Sequence, residues 1–161
     1  MAREGPSFEL PDAFVREKLV AEADVDRLGH ANNTAYLRWC EEVGWAHTEV
    51  LGCGFADWRR IGRAMAMYRA SLEYRAPCFA GETLAVAVWL VANDTRLRAT
   101  RHFQIVRPAD GLTLFRADVV YASIDLASGR PRRMPQEFQS AYAVLPSVAE
   151  ALARTTTPRG R

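Results

Sequence analysis

The feature that most restricts the fold of this chain is a change of hydrophobic period. From Thr34 to Leu51 the apolar side chains fall at Tyr36, Leu37, Cys40, Val43, Val50 and Leu51, with His47 on the same stripe. That recurrence is helical. After Gly62 the pattern shortens, and AMAMYRASLEYRAP, ETLAVAVWLVAND, LRATRHFQIVRP and LTLFRADVVYASID read as four successive strands, several of them alternating. The breaks CFAGE, NDTR and PADG each suit a turn. Residues 15–23, ahead of the helix, also fit a strand. A strand, one long helix and four more strands predict an α+β fold, the helix lying on one face of a five-stranded antiparallel sheet.

The helix carries its own boundaries. Asn32 or Asn33 is placed to cap its start, and Gly52 to stop it. Gly44 inside it costs about 1 kcal/mol relative to alanine, so close packing against the sheet is expected there. RPRRMPQEFQSAY leaves the sheet, and residues 146–154 fit a short helix. The ends, about 1–12 and 155–161, are short, polar and bear Pro and Gly, so disorder is expected in them. One helix cannot shield both faces of such a sheet, and long apolar edges are seldom left open. Association into oligomers is therefore expected.

At 161 residues, a single domain over 1–161 is expected. The net charge is +2 and the basic residues are dispersed, which argues against a nucleic-acid partner. The 3 cysteines, Cys40, Cys53 and Cys78, form no CxxC pair, so neither a zinc site nor a disulfide framework is supported, and no metal or cofactor is expected. The start MAREGPSFELPD has no apolar h-region, and no apolar run long enough to span a membrane follows. A cytoplasmic protein with no membrane partner is expected.

The chemistry concentrates at DVDRLGHANNTAYLRW, residues 24–39. Acidic groups stand just before a helix N-terminus, whose free N–H groups carry partial positive charge. Such groups can hold a carbonyl oxygen as it becomes an oxyanion, while a nearby carboxylate attacks that carbonyl or activates water. Asp26 and the N–H of Asn33 or its neighbours have the types that acyl transfer needs. Caps alone would also explain an Asp and Asn before a helix.

This stretch resembles the D-x-D-x-x-G-x-x-x-x-x-x-Y turn of hotdog-fold thioesterases of the 4-hydroxybenzoyl-CoA thioesterase type. The resemblance continues through WRR at 58–60, YRAPCFAGETLAV, RHFQIV and FRADVVYASID, covering roughly 15–138. It implies a long helix wrapped by a curved sheet, dimers as the minimum unit and tetramers beyond them, and active sites at subunit interfaces. The implied reaction is hydrolysis of an acyl-CoA thioester. The GHANN variant is also similar to acyl-carrier-protein thioesterases, and aromatic acyl groups are suggested by the 4-hydroxybenzoyl-CoA type.

Position by position, the resemblance puts the catalytic carboxylate on Asp26 and the polarising N–H on Asn33. Asp24 is then structural, bonding loop amides, with the exchange of those two roles as the alternative. His30 replaces an apolar residue of the 4-hydroxybenzoyl-CoA pattern and either positions water or thioester or bonds local backbone. Hydrolysis runs through a mixed anhydride on Asp26 or through Asp26 as general base; both need the ionised carboxylate that an ordinary aspartate provides at neutral pH. Arg96, Arg98 and Arg101 around one turn, and Arg130, Arg132 and Arg133 around another, suit the phosphates of coenzyme A. Trp58 falls near the family's acyl pocket. Two rivals fit less well. Hotdog hydratases resemble D-x-N-x-x-H, but Gly29 stands where their histidine would, and the dehydratase Pro-Phe-Phe-Pro-Gly stretch is absent. A non-enzymatic acyl-binding protein would be favoured by loss of the carboxylates, and both are present.

Overall fold

Asn32 starts the long helix. Its side chain accepts the Thr34 N–H at 2.9 Å, so α1 runs Asn33–Val50. Beyond it Gly52 takes φ +74°, a left-handed conformation that ends the helix. The computed structural model describes residues 6–156. In chain order these form β1 (Phe14–Leu19), a 3-10 turn (Glu22–Asp24), α1, α2 (Phe55–Ile61), β2 (Arg63–Tyr74), β3 (Thr83–Asn93), β4 (Arg98–Arg107), β5 (Leu112–Asp125), α3 (Gln136–Ala141) and α4 (Pro146–Thr156). The strands form one antiparallel sheet in the order β1-β3-β4-β5-β2. The expected α+β arrangement is therefore present.

α1 buries Tyr36, Trp39, Cys40 and Val43 against the inner face of the sheet. On that face stand Leu84, Val86 and Val88 of β3, Phe103 and Ile105 of β4, and Phe115, Ala117 and Val119 of β5. Gly44 lies over Phe103, as expected of a close approach. A Cβ added there would stand 3.5 Å from the Phe103 ring, an ordinary contact, so packing alone does not demand glycine.

β3 is buried without interruption from Leu84 to Leu90 because both its faces are covered. On the outer face, Phe8, Leu10 and Ala13 from the N-terminal segment, with Val148 and Leu152 from α4, pack on Ala87 and Trp89. The Trp89 indole N–H donates to the Pro11 carbonyl at 2.8 Å. Two expectations change here. Residues 8–12 are held against the sheet and 155–156 close α4, so disorder is not found at those positions; residues 1–5 and 157–161 lie outside the described residues. Part of the second face is also shielded by the chain itself, which removes that argument for association. The edge argument stays: β2 forms one margin of the sheet and leaves Met67, Tyr68, Leu72 and Tyr74 exposed.

The sheet has two ends that matter below. At one lie Leu19, Thr83, Arg107, Leu112 and Tyr74, close to the start of α1. At the other lie Asn93, Arg98, Asp125 and Arg63. Their separation is about 30 Å, from the rise of β3. Among the described residues no helix is long and apolar enough to cross a membrane.

Candidate active site

Between β1 and α1 the chain folds into a small hairpin. Val25 and Ala31 bridge antiparallel, and the Asp26 N–H donates to the His30 carbonyl at 3.0 Å. The turn at its tip is built by two residues. Asp26 Oδ1 accepts the Leu28 N–H at 2.8 Å, and Gly29 takes φ +84°, which side chains disfavour. This is the physical reason for the D-x-x-G spacing. It fixes Asp26 through one carboxylate oxygen and leaves the residue half-buried.

Asp24 does different work. It is 6% exposed. Its Oδ2 accepts the Ala21 N–H at 2.9 Å, its Oδ1 accepts the Arg38 guanidinium of α1, and its carbonyl accepts the Asn32 N–H at 2.8 Å. Burial works to raise its pKa, but the Ala21 N–H and Arg38 hold the carboxyl below the ordinary carboxylate range. Asp24 thus ties the entering strand, the hairpin and the first turns of α1 together.

Asn32 is the cap, so Asn33 is the first helical residue, and no helix carbonyl can accept its N–H. Its own carbonyl accepts the Tyr74 hydroxyl at 2.7 Å, pinning the helix start to the end of β2. Asn33 and His30 open onto one cleft of about 290 Å³, with Tyr36, Tyr74, Arg75 and Pro77 around it. His30 Nδ1 lies 3.4 Å from the Ala31 carbonyl. Tyr36 receives the Cys78 thiol at 3.3 Å, and burial raises its hydroxyl far above the ordinary tyrosine value. Asp26 sits in the hairpin beside this cleft rather than among its lining residues.

The other expected site residues lie at the far end of the sheet. Arg96 is exposed in the β3–β4 turn, where Asp94 Oδ1 accepts the N–H groups of Arg96, Leu97 and Arg98 at 2.8, 2.7 and 2.9 Å. Arg98 stacks over Tyr68 at 4.7 Å. Arg133 is exposed beside them, since the next residue, Met134, donates to the Arg96 carbonyl at 2.7 Å. One exposed cluster therefore contains Arg96, Arg98 and Arg133, about 30 Å from the hairpin within the same chain. Arg132 is paired with Asp125 at 2.9 Å. Trp58 is buried on α2 against Trp45 and Phe138, with ring centroids 4.7 and 5.9 Å apart, also far from the hairpin.

Arg101 is a correction. The sequence places it with Arg96 and Arg98 as an exposed phosphate contact, yet it is 4% exposed and points inward. Its position in the alternation Ala99, Arg101, Phe103, Ile105 is the signal that separates it from its neighbours. Sequence reasoning also missed Tyr74, which fixes the helix start, and Arg38, which holds Asp24.

The described fold matches a 1,4-dihydroxy-2-naphthoyl-CoA thioesterase from Synechocystis at TM-score 0.72 and 23% identity, covering 81% of this chain and 95% of that one. It matches a DHNA-CoA thioesterase from Staphylococcus aureus at TM-score 0.74 and 20% identity, covering 90% and 95%. A hypothetical protein from Staphylococcus aureus in complex with CoA matches at TM-score 0.74 and 14% identity, covering 82% of each chain. These likenesses establish the hotdog fold. A model of the thioesterase-like superfamily matches residues 20–142, and the chain belongs to that family.

Proposed function

We propose that this protein is an acyl-CoA thioesterase, hydrolysing a thioester to a free acid and CoA. The observation that carries the reading is the hairpin 24–33, which holds a half-buried carboxylate, Asp26, and leads straight into an 18-residue helix whose first N–H, that of Asn33, has no acceptor within the helix. The thioester carbonyl oxygen accepts the Asn33 N–H, and the helix dipole favours the charge that builds on it. Asp26 then acts by one of two routes. As general base it takes a proton from water, and the hydroxide adds to the carbonyl carbon. As nucleophile it adds directly, giving a mixed anhydride that water cleaves. In both, collapse of the tetrahedral centre expels the CoA thiolate, which takes up a proton. His30, on the same cleft, orients the thioester or the water.

The active unit is a dimer, with a tetramer as its further assembly. β2 is an exposed edge strand of 12 residues. Antiparallel pairing of two copies across a two-fold axis sets the Arg63 end of one strand beside the Tyr74 end of the other. That pairing brings Arg96, Arg98 and Arg133 of the partner subunit toward the hairpin, where they hold CoA phosphates. It also explains why one chain separates these groups by the length of its sheet. Trp58 lines the acyl side.

The test is hydrolysis of a panel of acyl-CoA thioesters by wild type and Asp26→Ala. Wild type is expected to release CoA, and Asp26→Ala to lose about 100-fold or more. Inactivity of wild type on every thioester, or full rate in Asp26→Ala, refutes the reading.

A further inference from the structure

The inner face of β4 carries one charged side chain among apolar neighbours, Arg101. Its Nη2 donates to Thr48 Oγ1 at 2.8 Å, and its Cζ lies 5.5 and 5.2 Å from the ring centroids of Tyr121 and Tyr142. Its Nε has no acceptor. Among the described residues no carboxylate oxygen lies within 4.0 Å of the guanidinium. A buried cation without a counter-ion is costly, and arginine does not escape by deprotonating. The two rings offset only part of that cost.

The titratable side chains packed against it are neutral, and the charged one nearby, Glu41, stands at the rim of the cavity. Burial, and then the charge of Arg101, push His47 down to about 4. Burial pushes the Tyr121 hydroxyl up to about 12. Arg101 also opens onto a cavity of about 80 Å³, walled by Thr48, Trp58, Met65, Met67 and Tyr121. The helix meets the guanidinium at Gly44, where a Cβ would stand 3.6 Å from Nη1, so the missing side chain leaves room beside the charge. Glu41 stands exposed at the rim. Its charge is hydrated and screened, so it opposes an entering anion weakly.

A separate, open cleft runs along the helix from its start to the rim of this cavity. Asn33, Leu37 and Glu41 of α1, with Leu72 and Tyr74 of β2, line the cleft, and Glu41 borders both. From Asn33 to Gly44 the helix rises about 16 Å. Laid end to end, cleft and cavity offer an acyl chain a course toward the cation.

We propose that Arg101 binds a carboxylate at the far end of the acyl group, so that the preferred substrates are thioesters of dicarboxylic acids. This rests on the thioesterase reading above. The free carboxylate forks on the guanidinium, and Met65, Met67 and Trp58 contact the methylenes next to it. At about 80 Å³ the cavity is roughly half of one that holds benzene, so it takes a carboxylate with a carbon or two and not a ring.

The test compares dodecanedioyl-CoA with dodecanoyl-CoA, and tetradecanedioyl-CoA with tetradecanoyl-CoA, chains long enough to run from Asn33 to Arg101, on wild type, Arg101→Gln and Arg101→Lys. Wild type is expected to favour the carboxyl-ended member of a pair by about 100-fold in kcat/KM. Arg101→Gln removes that preference while keeping the methyl-ended rate, and Arg101→Lys restores part of it. Equal rates on both members, a preference for the methyl-ended one, or equal losses on both in Arg101→Gln overturn the proposal. If Arg101→Gln fails to fold, the wild-type ratio and Arg101→Lys decide. If no thioester is hydrolysed, the thioesterase reading fails separately. Calorimetric titration with adipate and suberate then decides this one: binding to wild type, weaker binding to Arg101→Lys and none to Arg101→Gln uphold it, and no binding to wild type, or equal binding to Arg101→Gln, overturns it.

Discussion

Replacing Asp24 and Asp26 one at a time separates structure from chemistry in a motif where the two residues stand two positions apart. Asp24→Ala removes the acceptor of the part-buried Ala21 N–H bond, 2.9 Å long, and of the Arg38 guanidinium. A hydrogen bond to a charged group is worth about 1.5–3 kcal/mol. Arg38, 52% exposed, rehydrates when released, so its share falls to about 0–1 kcal/mol. The sum is about 2–4 kcal/mol, or roughly 5–15 °C in Tm for a chain of this size. Asp26→Asn keeps an acceptor for the Leu28 N–H, and asparagine suits the same turn. Its stability should change by less than about 0.5 kcal/mol, while hydrolysis falls by about 100-fold or more. Thermal unfolding followed by circular dichroism, with CoA release measured on the same samples, reads both quantities. A stable but inactive Asp24→Ala beside an active Asp26→Asn would refute the division of roles.

Three further outcomes are expected. His47 titrates near 6.5 when unfolded and about 4 when folded, so the unfolded chain binds the extra proton. Its contribution is therefore full above pH 6.5 and lost as pH falls toward 4, by up to about 3 kcal/mol, and His47→Gln should flatten that part of a urea-unfolding pH profile. Asp24, Asp94 and Asp125 are all depressed on folding, Asp125 to about 2. Their stabilisation is present above the ordinary carboxylate range and lost as pH falls through the folded values, so acid unfolding by fluorescence should continue toward pH 2. Asn32→Ala should lower stability by about 1 kcal/mol in thermal unfolding, since it removes the side-chain acceptor of the Thr34 N–H.

Periodicity made the architecture legible. α1 and four of the strands lie within a few residues of where their patterns place them, and Gly52 ends the helix as its position implies. β1 is shorter than expected because Val20 leaves the β1–β3 ladder to bond Glu82 and Gly81, and Glu22–Asp24 turns into a 3-10 helix. α2 was not legible: seven residues, Phe55–Ile61, are too few to display a helical period. The N-terminal segment reads as polar because its anchors, Phe8 and Leu10, are sparse and spaced by Glu9, which itself bonds Gln104 and Arg116. In the site, the local geometry of 24–33 followed from residue types at fixed offsets, whereas Tyr74 reaches its place through long-range pairing that no local pattern encodes. The arginines mark the limit most clearly, because Arg96, Arg98 and Arg101 share a sequence neighbourhood and only the side of the strand separates them.

The central claim places a thioester carbonyl on the Asn33 N–H with Asp26 beside it. A crystal structure with a non-hydrolysable acyl-CoA thioester analogue tests that most directly. The account predicts the carbonyl oxygen at about 2.7–3.1 Å from the Asn33 nitrogen, the free oxygen of Asp26 facing the carbonyl carbon, and CoA phosphates on Arg96, Arg98 and Arg133 of the partner subunit. A carbonyl held away from the start of α1, with Asp26 contacting no part of the ligand, would contradict it.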